Sequence, residues 1–236
     1  MKKISLLSLL AVLAVSSAAN ANVEDPLYAP AKGKLYSKTS VAKADTEYTL
    51  QQKFGYGITN RLVVDGFVNY IDQDKEDGED GFGSFNIGGA YRLSSGSFIS
   101  DIYAHYQTAI DEDVIGDYTA WDAGLKFGKQ TKKYTLAAQA GVEHIDVKDW
   151  TNADTNNIVL GLEGAYSFDD RVSASLGLKY TIVDEFYWYG QDDENSMAVT
   201  AQVNYLKGGL WSLAYTHEAK IDDIDNVITL KYGVQF

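Results

Sequence analysis

"ITLKYGVQF" closes the chain at residues 228–236. Ile228, Leu230, Tyr232, Val234 and Phe236 are apolar or aromatic, and Thr229, Lys231, Gly233 and Gln235 between them are polar or small. Period-2 alternation of this kind places the two sets on opposite faces of a strand. Chain termini usually fray. Here the alternation runs to the last residue, so this terminus reads as a working part.

The other end reads differently. "MKKISLLSLLAVLAVSSAANA" opens with Lys2 and Lys3, continues as an apolar run from Ile4 to about Val15, and ends on Ala19-Asn20-Ala21. A basic start, a short apolar run and an A-x-A site make a cleavable secretory signal peptide over residues 1–21. The apolar run is too short for a membrane-spanning helix. Residues 22–32 are expected to form a short periplasmic segment and residues 33–236 a single β domain.

Composition narrows the class. Lys and Arg total 20 against 33 Asp and Glu, and two of the lysines lie in the leader. So acidic a chain is a poor partner for phosphate backbones, and no nucleic acid is expected. There is no cysteine, which excludes disulfides, thiolate nucleophiles and Cys-ligated metal. The two prolines, Pro26 and Pro30, both precede Ala31. Proline interrupts strand ladders, so its absence afterwards suits a chain made of strands.

Period-2 segments of about ten residues recur twelve times: roughly 33–43, 46–57, 61–71, 82–93, 97–107, 117–128, 133–144, 157–168, 171–182, 196–206, 210–219 and 226–236. Tight links such as "SSGS" at 94–97 and "DD" at 169–170 alternate with longer acidic ones such as "DQDKEDGEDG" at 72–81 and "DEFYWYGQDDEN" at 184–195. The short link near 43–46 is the exception. Short turns at one end and long loops at the other are the pattern of a transmembrane antiparallel up-and-down β-barrel, here of about 12 strands. The apolar faces agree. Tyr56, Tyr91, Phe98, Phe127, Tyr134, Tyr166, Tyr205 and Trp211 lie next to the short turns, and Tyr48, Tyr70, Tyr106, Tyr180 and Tyr215 near the loops. Aliphatic residues fill the middle. Two aromatic girdles around an aliphatic belt suit a lipid-facing wall. A soluble sandwich has no reason to sort aromatics by depth. The first segment is the least regular, with Leu35 and Val41 on one face and Tyr36 on the other.

With its alternation and terminal aromatic, the last strand resembles the C-terminal signature of bacterial outer-membrane β-barrel proteins. That resemblance implies an outer-membrane location in a Gram-negative bacterium, contact with outer-membrane lipid and lipopolysaccharide, and recognition by the barrel-assembly machinery through Tyr232, Val234 and Phe236. In size the chain is similar to the monomeric twelve-stranded sugar-acid porins, although those favour a basic lumen. A weaker similarity is to the phenol-degradation transport proteins.

The opposite face should line the lumen. It carries Glu47, Lys53, Arg61, Asp65, Arg92, Asp101, His105, Asp122, Lys126, Lys133, Glu143, Glu163, Arg171, Lys179, Glu218 and Lys231, which balance to within one charge. Many glycines, alanines and serines stand among them. Two readings follow. One is a narrow, water-filled, porin-like channel for passive diffusion of small hydrophilic solutes. Its selectivity would be set by Lys53, Arg61, Asp65, Arg92, Asp101, Asp122, Lys126 and Lys179. The other is a closed structural or surface-interaction barrel with acidic loops. Trp150 and Trp188, in long loops, are candidates for stacking on a ligand. The loop at 72–80 superficially resembles a calcium loop, but Gly78 comes one position late and position 83 is glycine instead of glutamate. No metal site and no cofactor are expected. His105, His144 and His217 are the only histidines, and no G-x-S-x-G or H-E-x-x-H motif is present. The reading is therefore a monomeric channel, not an enzyme.

Overall fold

The computed structural model describes residues 23–45, 47–73, 79–148, 153–184, 195–219 and 224–236. The strands are β1 (Leu35–Lys43), β2 (Glu47–Gly57), β3 (Leu62–Gln73), β4 (Gly81–Ser95), β5 (Ile99–Ala109), β6 (Tyr118–Gln130), β7 (Tyr134–Val147), β8 (Ala153–Ser167), β9 (Val172–Asp184), β10 (Ser196–Leu206), β11 (Leu210–Ala219) and β12 (Ile224–Gln235). Each pairs antiparallel with its chain neighbours, and β12 pairs with β1 to close the barrel. The only helix among the described residues is a single turn, α1 (Glu112–Ile115), in the β5–β6 loop. It was not expected from the sequence; Asp111 caps it by accepting from the Asp113 N–H at 3.2 Å.

The expected segments match the observed strands to within a few residues. The seam is made by the terminal stretch itself: Thr39 faces Tyr232 and Ser37 faces Val234. Phe236 donates its N–H to the Leu35 carbonyl at 2.7 Å and accepts from the Leu35 N–H at 3.3 Å. Closure leaves no open edge, so every strand can satisfy its backbone inside a hydrocarbon layer.

The outer wall carries the exposed apolar side chains. Leu125, Leu162, Leu176, Leu213 and Leu230 stand in its middle and are each half exposed or more. Aromatic pairs lie toward its ends, with Phe98 stacked on Phe127 and Trp211 against Tyr232 beside the short turns, and Tyr70 edge-on to Phe82 beside the loops. A register shift opposite Val68–Tyr70 adds one residue to β4, so Phe82 and Phe85 both face outward despite their odd spacing.

The tight turns are held by side chains. Asp169 accepts from the Arg171 and Val172 N–H groups at 2.7 and 2.8 Å, and the Thr59 hydroxyl accepts from Arg61 and Leu62. In the β10–β11 turn Gly208 and Gly209 both have positive φ, and the Tyr232 hydroxyl donates to the Gly208 carbonyl at 2.8 Å.

The segment expected to be periplasmic, in its described part 23–32, folds back into the short-turn end of the bore. Gly33 donates to the Gly57 carbonyl at 2.8 Å, tethering the segment to β2. A Cβ at Gly57 would run into the Ala31 carbonyl, so glycine is what admits the segment there.

Candidate functional site: the bore and its N-terminal segment

The bore has a charged middle and, at the short-turn end, an apolar set among buried polar residues such as Thr135, Ser173 and Ser212. Tyr36, Val63, Ile99, Ala137 and Leu210 make up the apolar set; they face inward and are buried. The N-terminal segment covers them. Leu27, only 1% exposed, packs on Ile99 and Ala137. Val23 packs with Tyr36 and Leu210, and Tyr28 meets Tyr36 edge-on at 5.7 Å. Burying a leucine side chain to that degree contributes about 1.5–3 kcal/mol. The inward Tyr36 also explains why the first strand alternates poorly: its inner face packs against this segment.

Polar contacts carry the segment across the bore. Arg92 donates to the Leu27 carbonyl at 2.8 Å and binds Asp101 through two parallel hydrogen bonds of 2.9 and 3.0 Å. Asp25 accepts from the Thr135 hydroxyl of β7 at 2.6 Å. On the far side Glu24 meets Lys38 of β1 at 3.0 Å and Lys231 of β12 at 3.1 Å, and accepts from the Gln202 amide of β10 at 3.2 Å. Burial pushes the Glu24 carboxyl up. The ammonium groups of Lys38 and Lys231 outweigh it and hold the carboxyl below its ordinary value.

Beyond the segment lies a polar cavity of about 660 Å³. Lys53, Asp65, His105, Asp122, Lys126, Glu143, Glu163 and Lys179 line it. His105 sits between two carboxylates, 3.3 Å from Asp65 and 3.2 Å from Asp122, and Lys53 approaches Asp65 at 3.8 Å. The inner face of the wall is thin where Gly124, Gly141, Gly161 and Gly177 stand. The Tyr103 hydroxyl lies over Gly124 and Gly141, close enough that a Cβ at either would meet it at 2.6 Å. Among the described residues, no group of three His, Asp or Glu side chains is placed to hold a metal ion.

Of the residues singled out from the sequence, Lys53, Asp65, Asp122, Lys126 and Lys179 line the central cavity, as does Asp101 at its lower end. Arg92 and Asp101 form the pair under Leu27. Arg61 is exposed at the short turn and borders a smaller hollow beside Tyr28 and Pro30, away from the charged middle. Trp150 and Trp188 lie outside the described residues. His144 and His217 stand on the other face near the loops, each 3.0 Å from an asparagine side chain, Asn156 and Asn226. Neither reaches the bore. Sequence reasoning missed Lys38, because Tyr36 obscured the parity of β1. It also missed Glu24, Asp25 and Leu27, whose only signal was their position between the leader and the first strand.

Three solved structures place this architecture. The chain matches the NanC porin with a TM-score of 0.66 at 9% identity, covering 85% of this chain and 98% of that one. It matches an outer membrane channel from Pseudomonas putida F1 with a TM-score of 0.61 at 13% identity, covering 92% and 100%. A third is the KdgM porin in complex with disordered oligogalacturonate, with a TM-score of 0.58 at 9% identity over 85% and 98%. This is the fold of the outer-membrane porins. No protein-family model and no curated protein matches the chain. At these identities the likeness is one of architecture, and fold alone does not assign a solute.

Proposed function

We propose that this chain is a monomeric outer-membrane channel of a Gram-negative bacterium, passing small hydrophilic solutes by passive diffusion once its N-terminal segment leaves the bore. The observation that carries this reading is the charged cavity of about 660 Å³ in the middle of the barrel. A barrel of purely structural role has no need of such a space, since smaller barrels fill their interiors with side chains. The porin fold of the structural neighbours supports the same reading. Fixed charges and amides along the path would replace part of a solute's hydration, and alternating acids and bases would keep ion preference weak.

The segment at the short-turn end favours a second reading, a permanently closed barrel. Liposome swelling with sugars of increasing size distinguishes the two. The channel reading expects slow entry of pentoses through the wild-type protein, faster entry through a Leu27→Ala variant, and a size cut-off in both. If neither protein admits a pentose while both are inserted and folded, the closed barrel is correct.

A further inference from the structure

The barrel wall carries a concentration of positive charge on β12, β1 and β2. Lys38 and Lys53 stand directly opposite each other on β1 and β2, and Lys231 lies on β12, opposite Ser40 of β1. Like charges paired across strands repel. Asp65 answers Lys53. On β12, β1 and β2 the strand carboxylates among the described residues are Asp225 and Glu47, each six positions up its strand from the nearest lysine, or roughly 20 Å away. The countercharge for Lys38 and Lys231 comes instead from Glu24, on the segment that blocks the bore.

The surroundings of Glu24 are arranged for a planar anion with two oxygens. Lys38 holds one oxygen, and Lys231 and the Gln202 amide hold the other. Lys231 also donates to the Gln202 carbonyl oxygen at 2.7 Å, and that fixes which end of the amide faces the carboxylate. The Gln202 nitrogen reaches Asn204 at 2.7 Å, and Asn204 donates to Ser173 at 3.1 Å. A network satisfied in this way keeps its donors in place whichever carboxylate they hold.

We infer that Lys38, Lys231 and Gln202 form a binding site for the carboxylate group of a transported solute, and that Glu24 occupies it as a tethered competitor. The inference rests on the channel reading and adds a solute class to it. Withdrawing Glu24 alone would leave two ammonium groups facing each other without a counterion, which is costly away from bulk water. A solute carboxylate arriving through the central cavity exchanges one anion for another and avoids that cost. Binding and release of the segment are then linked, because the ligand fits only the barrel from which Glu24 has withdrawn.

Titration calorimetry on the folded mature chain in detergent tests the site without requiring current to flow, so a closed bore would defeat the channel reading and leave this result standing. Gluconate is the probe and sorbitol its neutral counterpart. A tethered carboxylate competes at an effective concentration of about millimolar. Glu24→Gln is therefore expected to bind gluconate at least about tenfold more tightly than the wild type. Adding Lys38→Gln and Lys231→Gln to Glu24→Gln is expected to abolish binding, and this variant carries no stranded acid. Heat-modifiable gel mobility verifies that each barrel is folded. Equal gluconate affinity in wild type and Glu24→Gln would overturn the proposal. So would gluconate binding that survives loss of both lysines, or sorbitol binding as tight as gluconate.

Discussion

Leu27 and Glu24 fix the N-terminal segment by different physics, and the difference can be measured. Leu27 is the apolar anchor, enclosed by Ile99 and Ala137. Leu27→Ala removes buried methyl groups, at about 2–5 kcal/mol. The docked state should weaken by roughly thirtyfold or more. Hydrogen exchange across residues 23–31 should accelerate by that factor while the strands stay protected. Glu24 is the ionic anchor, and its contribution depends on pH. Its carboxyl is held below the ordinary value when docked, so docking is favoured fully above the free value, near 4.5, and loses that support as pH falls through the lowered docked value. Conductance should therefore be flat from pH 7 to about 5 and rise only in more acidic solution. Glu24→Gln should remove the part of that rise due to segment release. If both proteins respond alike, the acid effect belongs to other lumen carboxylates.

At the scale of elements, the strands were legible because each must satisfy two solvents at once. Leu125, Leu162 and Leu213 meet lipid while Lys126, Glu163 and Ser212 beside them meet the bore, and that conflict writes period 2 into the sequence. The pattern failed where a face met protein instead. Tyr36 on β1 faces inward because Tyr28 and Val23 cover it, so β1 carried apolar residues on both faces and its Lys38 went unrecognised. The β4 register shift is a backbone feature that residue types do not announce. The last strand has the clearest pattern, and its backbone closes the seam with Leu35. Phe236→Ala keeps those backbone bonds and removes only the aromatic ring. If the ring serves recognition by the assembly machinery, the variant should accumulate less in the membrane in cells yet refold normally in detergent. An equal loss of refolding in detergent would assign the ring to stability instead.

At the scale of the whole molecule, lumen charge was readable from parity, and six of the eight lumen candidates line the central cavity with His105. What parity could not convey was occupancy. Residues 23–32 follow no strand period, and their polar contacts with β1, β4, β7, β10 and β12 reach partners from 14 to more than 200 residues distant. Only the folded barrel brings them together. The balance of charge changes accordingly: without the segment, the β12–β1–β2 side of the bore is strongly basic at its lower level, and Glu24 offsets part of that charge. If this barrel is a channel closed by its own N-terminal segment, single-channel recording of the mature chain in a planar bilayer should show small, infrequent discrete steps for the wild type and larger, longer-lived ones for Leu27→Ala. A silent bilayer with both proteins, each inserted and heat-modifiable on a gel, would contradict it.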